Sequence, residues 1–63
     1  MIDLSTEEKN TKFITNNGQV ITFTKNSVKK LWICRNDKFI IMYNNDGTNY
    51  DGNIGLDLVE KIK

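Results

Sequence analysis

Short runs of β-branched and aromatic residues recur along this chain, separated by clusters of Asn, Asp, Gly and Ser. That punctuation predicts short antiparallel strands joined by tight turns, not long helices. Phe13 to Phe23 reads FITNNGQVITF. Asn17-Gly18 between apolar flanks is a strong hairpin signal, because a type I′ turn needs positive φ at both central residues. A two-residue turn there sets Ile14 opposite Ile21, with Phe23 on the same face and Phe13 and Val20 on the other. A three-residue loop, Asn16 to Gly18, is the alternative and shifts the register.

The stretch from Val28 to Tyr43, VKKLWICRNDKFIIMY, is the richest in apolar residues. With Thr24 to Ser27 as a polar connection, it reads as two strands around a turn at Asn36-Asp37. Leu31, Ile33, Ile40 and Met42 then share one face, and Trp32, Cys34, Phe39, Ile41 and Tyr43 share the other. Both faces are apolar. The uniform aliphatic set is the expected core and the aromatic set the expected contact surface.

Asn44 to Gly47 marks a third turn, with Thr48 to Tyr50 returning along the preceding strand as a short, weak strand. Asp57 and Glu60 have the spacing of a capping box, which predicts a short C-terminal helix carrying Leu58, Val59 and Ile62 on its inner side. Lys61 and Lys63 suit the negative end of such a helix. At the other end, Ser5-Thr6-Glu7-Glu8 predicts one helical turn in an N-terminal arm over residues 1–10, with Ile2 and Leu4 available to dock it.

The chain therefore reads as mainly β, or β-rich α+β: a small antiparallel meander of four to five strands with a short C-terminal helix. The meander either stays an open sheet with the helix on one face or curls into an SH3-like barrel around its concave side. The order of four strands and then a helix resembles that of single-stranded-DNA-binding coactivator domains. No motif of that family maps onto these residues, so the resemblance implies no site.

Composition narrows the possibilities. At 63 residues there is one domain, and chains of this size bury only about 60% of their unfolded surface. A single cysteine and no histidine exclude an internal disulfide and a structural zinc site. Association is the stabilising device left. The lone cysteine, the absence of a basic-then-apolar leader and the lack of a long apolar run point to a soluble cytoplasmic protein with no membrane partner. Abundant Asn, Lys and Ile without proline is the composition of AT-rich genomes, including those of phages.

The same inventory argues against catalysis. Without histidine there is no Ser-His or Cys-His pair. Cys34 sits mid-strand among apolar neighbours, as a small buried hydrophobe does. Asn44, Asp46 and Gly47 match three positions of a calcium-binding loop, but Met42 and Asn53 fall where its first and twelfth ligands belong. No phosphate-binding glycine loop is present. The sequence thus predicts no enzyme, cofactor, metal or small-molecule substrate.

Net charge is +1, unevenly distributed. Acidic residues predominate at both ends, and Lys12, Lys25, Lys29, Lys30, Arg35 and Lys38 make the middle basic against Asp37 alone. The candidate contact surface is Trp32, Phe39, Ile41 and Tyr43, rimmed by Lys30, Arg35 and Lys38. Aromatics inside a charged rim suit a protein interface, either a homodimer or a larger protein that this one inhibits or regulates. The same residues also suit single-stranded nucleic acid, with bases on the aromatics and phosphates on the cations.

Overall fold

The structure, a computed structural model, describes residues 2–62. Met1 of the predicted arm and Lys63 of the predicted helix lie outside that range. Five strands are present: β1 (Lys12–Thr15), β2 (Val20–Val28), β3 (Leu31–Arg35), β4 (Ile40–Tyr43) and β5 (Leu58–Lys61). They form one antiparallel sheet in the order β4-β3-β2-β1-β5. Single 3-10 turns occupy Leu4–Thr6 and Ile54–Leu56.

The β1–β2 hairpin adopts the three-residue loop. Phe13 pairs with Ile21 and Ile14 with Val20, while Thr15 N donates to Gln19 O at 2.8 Å and Gly18 N to Thr15 O at 2.9 Å. Gly18, at φ +89, supplies the left-handed residue such a loop requires. This register turns Phe13 inward beside Ile21 and Phe23, and all three are fully buried. The two-residue register would have sent Phe13 to solvent and Ile14 inward, a poorer use of the larger side chain.

β2 runs straight through the segment predicted as a polar connection. The pairing jumps from Phe23↔Cys34 to Asn26↔Ile33, leaving Thr24 and Lys25 as a bulge with Lys25 at φ 64. The Thr24 hydroxyl stabilises the break, donating to Ile33 O at 2.7 Å and accepting from Asn26 N at 3.2 Å. Bulges of this kind bend a strand and increase its twist. The turn that follows is Lys29-Lys30, between paired Val28 and Leu31, with φ of 51 and 69.

The β3–β4 connection is a four-residue loop, Asn36 to Phe39, because Arg35 pairs with Ile40. Asn36 Oδ1 holds it by accepting from Lys38 N and Phe39 N, both at 2.7 Å. Two extra residues preserve the alternation of faces, so Cys34, Ile41 and Tyr43 share one face, and Ile33, Ile40 and Met42 the other. The inside and outside are reversed from expectation. Cys34, Ile41 and Tyr43 belong to the core, whereas Ile40 is 71% exposed. Phe39 lies in the loop, outside both strands.

The C-terminal segment is a strand, not a helix. β5 pairs with β1 through Phe13↔Lys61 and Ile14↔Glu60, with a bulge before Thr15↔Leu58. A helix of fewer than two turns cannot sustain itself, and the edge of β1 offers this segment a full set of backbone partners. Asp57, the expected helix cap, instead accepts from Asn49 N at 2.8 Å. Losing the helix also removes the element order on which the likeness to coactivator domains rested.

Leu4, Phe13, Ile21, Phe23, Cys34 and Tyr43 have no exposure at all. A flat single layer could not bury them, so the bent β2 and the terminal segments must wrap the inner face. The N-terminal arm is docked: Leu4 N donates to Asn45 O at 2.9 Å, and Asp3 caps its 3-10 turn through Ser5 N. On the other side Leu58 N donates to Gly47 O at 2.9 Å. Among the described residues no ladder joins β4 to β5, and the sheet remains open along that seam.

Candidate interaction groove

Of the seven predicted contact residues, Phe39 and Ile41 come together beside one groove, and the other five do not line it. Tyr43 and Ile41 are buried, a correction that follows from the inverted faces. The Tyr43 hydroxyl donates to Leu56 O at 2.6 Å, which is how a polar-tipped aromatic can sit fully inside. Burial, with help from Cys34 and Asp57, pushes its pKa well above the ordinary phenol range. Cys34 is also buried, and desolvation pushes its thiol up to about 12. That thiol is held in its unreactive form.

Trp32 sits at the margin of the core. Its ring meets Phe23 edge-on, with centroids 5.4 Å apart at 70°, and its Nε1 donates to Asn45 Oδ1 at 2.9 Å. Lys30 occupies the β2–β3 turn, while Lys38 and Phe39 occupy the loop at the other end of β3. Arg35 points outward from the face opposite Cys34 and Tyr43. A rim joining Lys30 to Lys38 would have to run the whole length of β3.

A different surface emerges. An open groove of about 640 Å³ lies between β4 on one side and the β1–β2 loop and Ile54–Leu56 turn on the other. Ile41, Met42 and Leu56 supply apolar lining, and Phe39, Ile40 and Tyr50 flank it. These last three are 61%, 71% and 59% exposed. The remaining lining is rich in carboxamides, from Asn17, Gln19, Asn49 and Asn53, and among the described residues Asp51 is its single charged side chain.

Asn49 organises one wall. It is only 5% exposed, and its Oδ1 accepts from both Asp51 N and Asn53 N at 3.1 Å. Its backbone N donates to Asp57, and Tyr50 N donates to Met42 O at 3.0 Å. Thr48 to Tyr50 thus returns along β4, but the expected short strand is reduced to a single bridge between Tyr43 and Asn49.

The charged turns have local roles. Asp46 is held below its ordinary pKa by hydrogen bonds from the Thr48 side chain and backbone. Asp3 is similarly lowered by Ser5 and Asn45 side chains. Among the described residues, no three His, Cys, Asp or Glu side chains gather into a metal site. No helix among them is long and apolar enough to cross a membrane.

Ile40, Tyr50 and Asn49 were missed by reasoning from the sequence. The available signal was Cys34: a small buried residue on the Tyr43 face marks that face as the inner one. Arg35, of opposite alternation, equally marks the Ile40 face as outer. No family model, curated protein or solved structure matches this chain.

Proposed function

We propose that the chain is a non-enzymatic protein-interaction module that regulates a larger cytoplasmic protein, and that its contact surface is the groove beside β4. The observation that carries this is the clustering of Phe39, Ile40 and Tyr50, each more than half exposed, around one apolar groove. Contiguous exposed aromatics and aliphatics with a polar rim are the anatomy of an interface. The strand order and the 3-10 turn before β5 support reading the fold as an SH3-like barrel left open at the β4 seam. The buried, unreactive Cys34 suits the reducing cytoplasm.

The test is photo-crosslinking from a benzoylphenylalanine placed at position 39, in the cell that makes the protein, with the same group at exposed Glu60 as control. Adducts specific to position 39 support the reading. Equal yields at both positions, or none at 39, overturn it.

One observation supports nucleic-acid binding as a second reading. Lys12, Thr22 and Arg35 are aligned across β1, β2 and β3 on the outer face. Lys12 Nζ bonds the Thr22 hydroxyl at 3.0 Å, and the ion pair found among the described residues, Lys61–Glu7, uses neither cation. Phosphates could bridge that row. This reading requires oligonucleotide binding that weakens steeply with salt; no binding at low salt removes it.

A further inference from the structure

We infer that the groove takes an extended segment of a partner protein as an added β-strand alongside β4, with a basic residue of that segment beside Asp51. This rests on the interaction reading above and specifies the occupant.

Three features point to it. β4 is an edge strand, and its outer edge is only partly covered. Asn44 N and Met42 O bond Thr48 O and Tyr50 N. In an antiparallel strand, alternate residues direct both backbone groups to the same side. Ile40 therefore presents its N–H and C=O to that edge too, beyond the point where Tyr50 turns away.

The second feature is a side-chain donor left to solvent. The two backbone N–H groups bonded to Asn49 Oδ1 fix the orientation of its amide. Its Nδ2 then donates to nothing among the described residues, although Asn49 is only 5% exposed. No buried side-chain nitrogen or oxygen lacks a partner there, so Nδ2 retains access to solvent, and Asn49 lines the groove. A peptide carbonyl is the acceptor an extended chain would bring to it.

The third feature is charge. Among the described residues Asp51 is the one charged side chain in the lining and takes part in no ion pair. That disfavours anionic ligands and favours a cationic neighbour. Strand addition accounts for the three together: main-chain bonds at Ile40, apolar side chains at alternate positions toward Met42 and Tyr50, and a cation at Asp51.

The probe is a pair of short capped peptides alternating valine and serine, one carrying a central lysine and its twin a glutamate. Amide chemical shifts of the protein are followed during titration. The lysine peptide should move Ile40, Met42, Asn49 and Tyr50, and the glutamate twin should bind at least about tenfold more weakly. N-methylation of its backbone at alternate positions should abolish binding in one of the two phases. Asp51→Lys should reverse the lysine preference.

Undiminished binding by both N-methylated phases would overturn strand addition, as would shifts confined to other surfaces. Shifts at Ile40 and Tyr50 that depend on protein concentration without peptide would place a second copy in the groove and equally overturn it. Crosslinking from position 39 with no peptide binding would sink this inference and leave the interaction reading standing. Failure of both would remove both.

Discussion

The indole of Trp32 and the side chain of Asn45 are joined by a hydrogen bond of 2.9 Å that ties β3 to the turn after β4. The same Oδ1 accepts from Ser5 N at 3.0 Å, and Nδ2 donates to Asp3 at 2.8 Å. One exposed carboxamide thereby connects the arm, β3 and the turn. Asn45→Ala should lower stability by about 1–2 kcal/mol, since each net hydrogen bond contributes about 1. Urea denaturation measures this, and a red shift of Trp32 emission in the folded state reports the undocked indole. An unchanged spectrum and midpoint would show that Leu4 alone holds the arm.

The Lys29-Lys30 turn is stored strain. Both residues lie in the left-handed region, which costs an L-residue other than Gly or Asn about 1–2 kcal/mol. Lys29→Asn with Lys30→Gly is the combination this turn prefers and should raise stability by about 1–2 kcal/mol. Chemical denaturation gives the sign directly. No gain would mean that the lysines form compensating interactions in the folded chain.

Gly47 and Gly18 separate conformational strain from packing. Both have positive φ, +87 and +89, but a Cβ at Gly47 would meet Ile2 Cγ2 at 3.2 Å and Leu58 Cβ at 3.3 Å, while Gly18 has open space. Gly18→Ala should cost about 1 kcal/mol from the backbone alone. Gly47→Ala should cost about 2–3 kcal/mol, because it also pushes apart the arm and β5. Equal losses would show that Ile2 and Leu58 yield freely.

The alkaline limit of stability follows from Cys34 and Tyr43. Burial raises both pKa values, so the folded state holds these protons more tightly than the unfolded chain does. Their contribution is complete below the unfolded pKa and is lost as pH rises, from the ordinary thiol value of 9.0 toward about 12 for Cys34. Asp3 and Asp46 act oppositely: their pKa values are lowered, so their contribution is lost as pH falls below 3.8. Cys34→Ala should flatten the alkaline decline in the denaturation midpoint and leave the acid limb unchanged.

Turns and strands were readable because each has a local cause. Asn17-Gly18 marked the first hairpin, and Asn44 to Gly47 marked the return of Thr48 along β4. Neither cause is sufficient for register. Asn16 to Gly18 tolerates two loop lengths, and only burial of Phe13 beside Phe23 selects between them. The C-terminal segment misled for the same reason. Asp57 and Glu60 have helix-cap spacing, but whether the edge of β1 is vacant is a tertiary fact absent from that window. The groove was harder still, since β4, the β1–β2 loop and the Ile54–Leu56 turn meet there only in the folded chain, and no local motif describes that meeting.

The inversion of the two faces yields the most direct comparison. Trp32 contacts Phe23 and Asn45, and Phe39 is 61% exposed in a loop held by Asn36. Trp32→Ala should therefore cost about 2–4 kcal/mol, in the range of large-to-small changes at partly buried aromatic sites. Phe39→Ser should stay within about 0.5 kcal/mol, as surface changes do. If the groove is the contact surface, the ranking reverses for association: Phe39→Ser abolishes partner binding, while folded Trp32→Phe retains it. Denaturation of the three variants, with crosslinking or peptide titration of the folded ones, separates the roles. Retained association in Phe39→Ser together with loss in a well-folded Trp32→Phe would return the interface to the tryptophan.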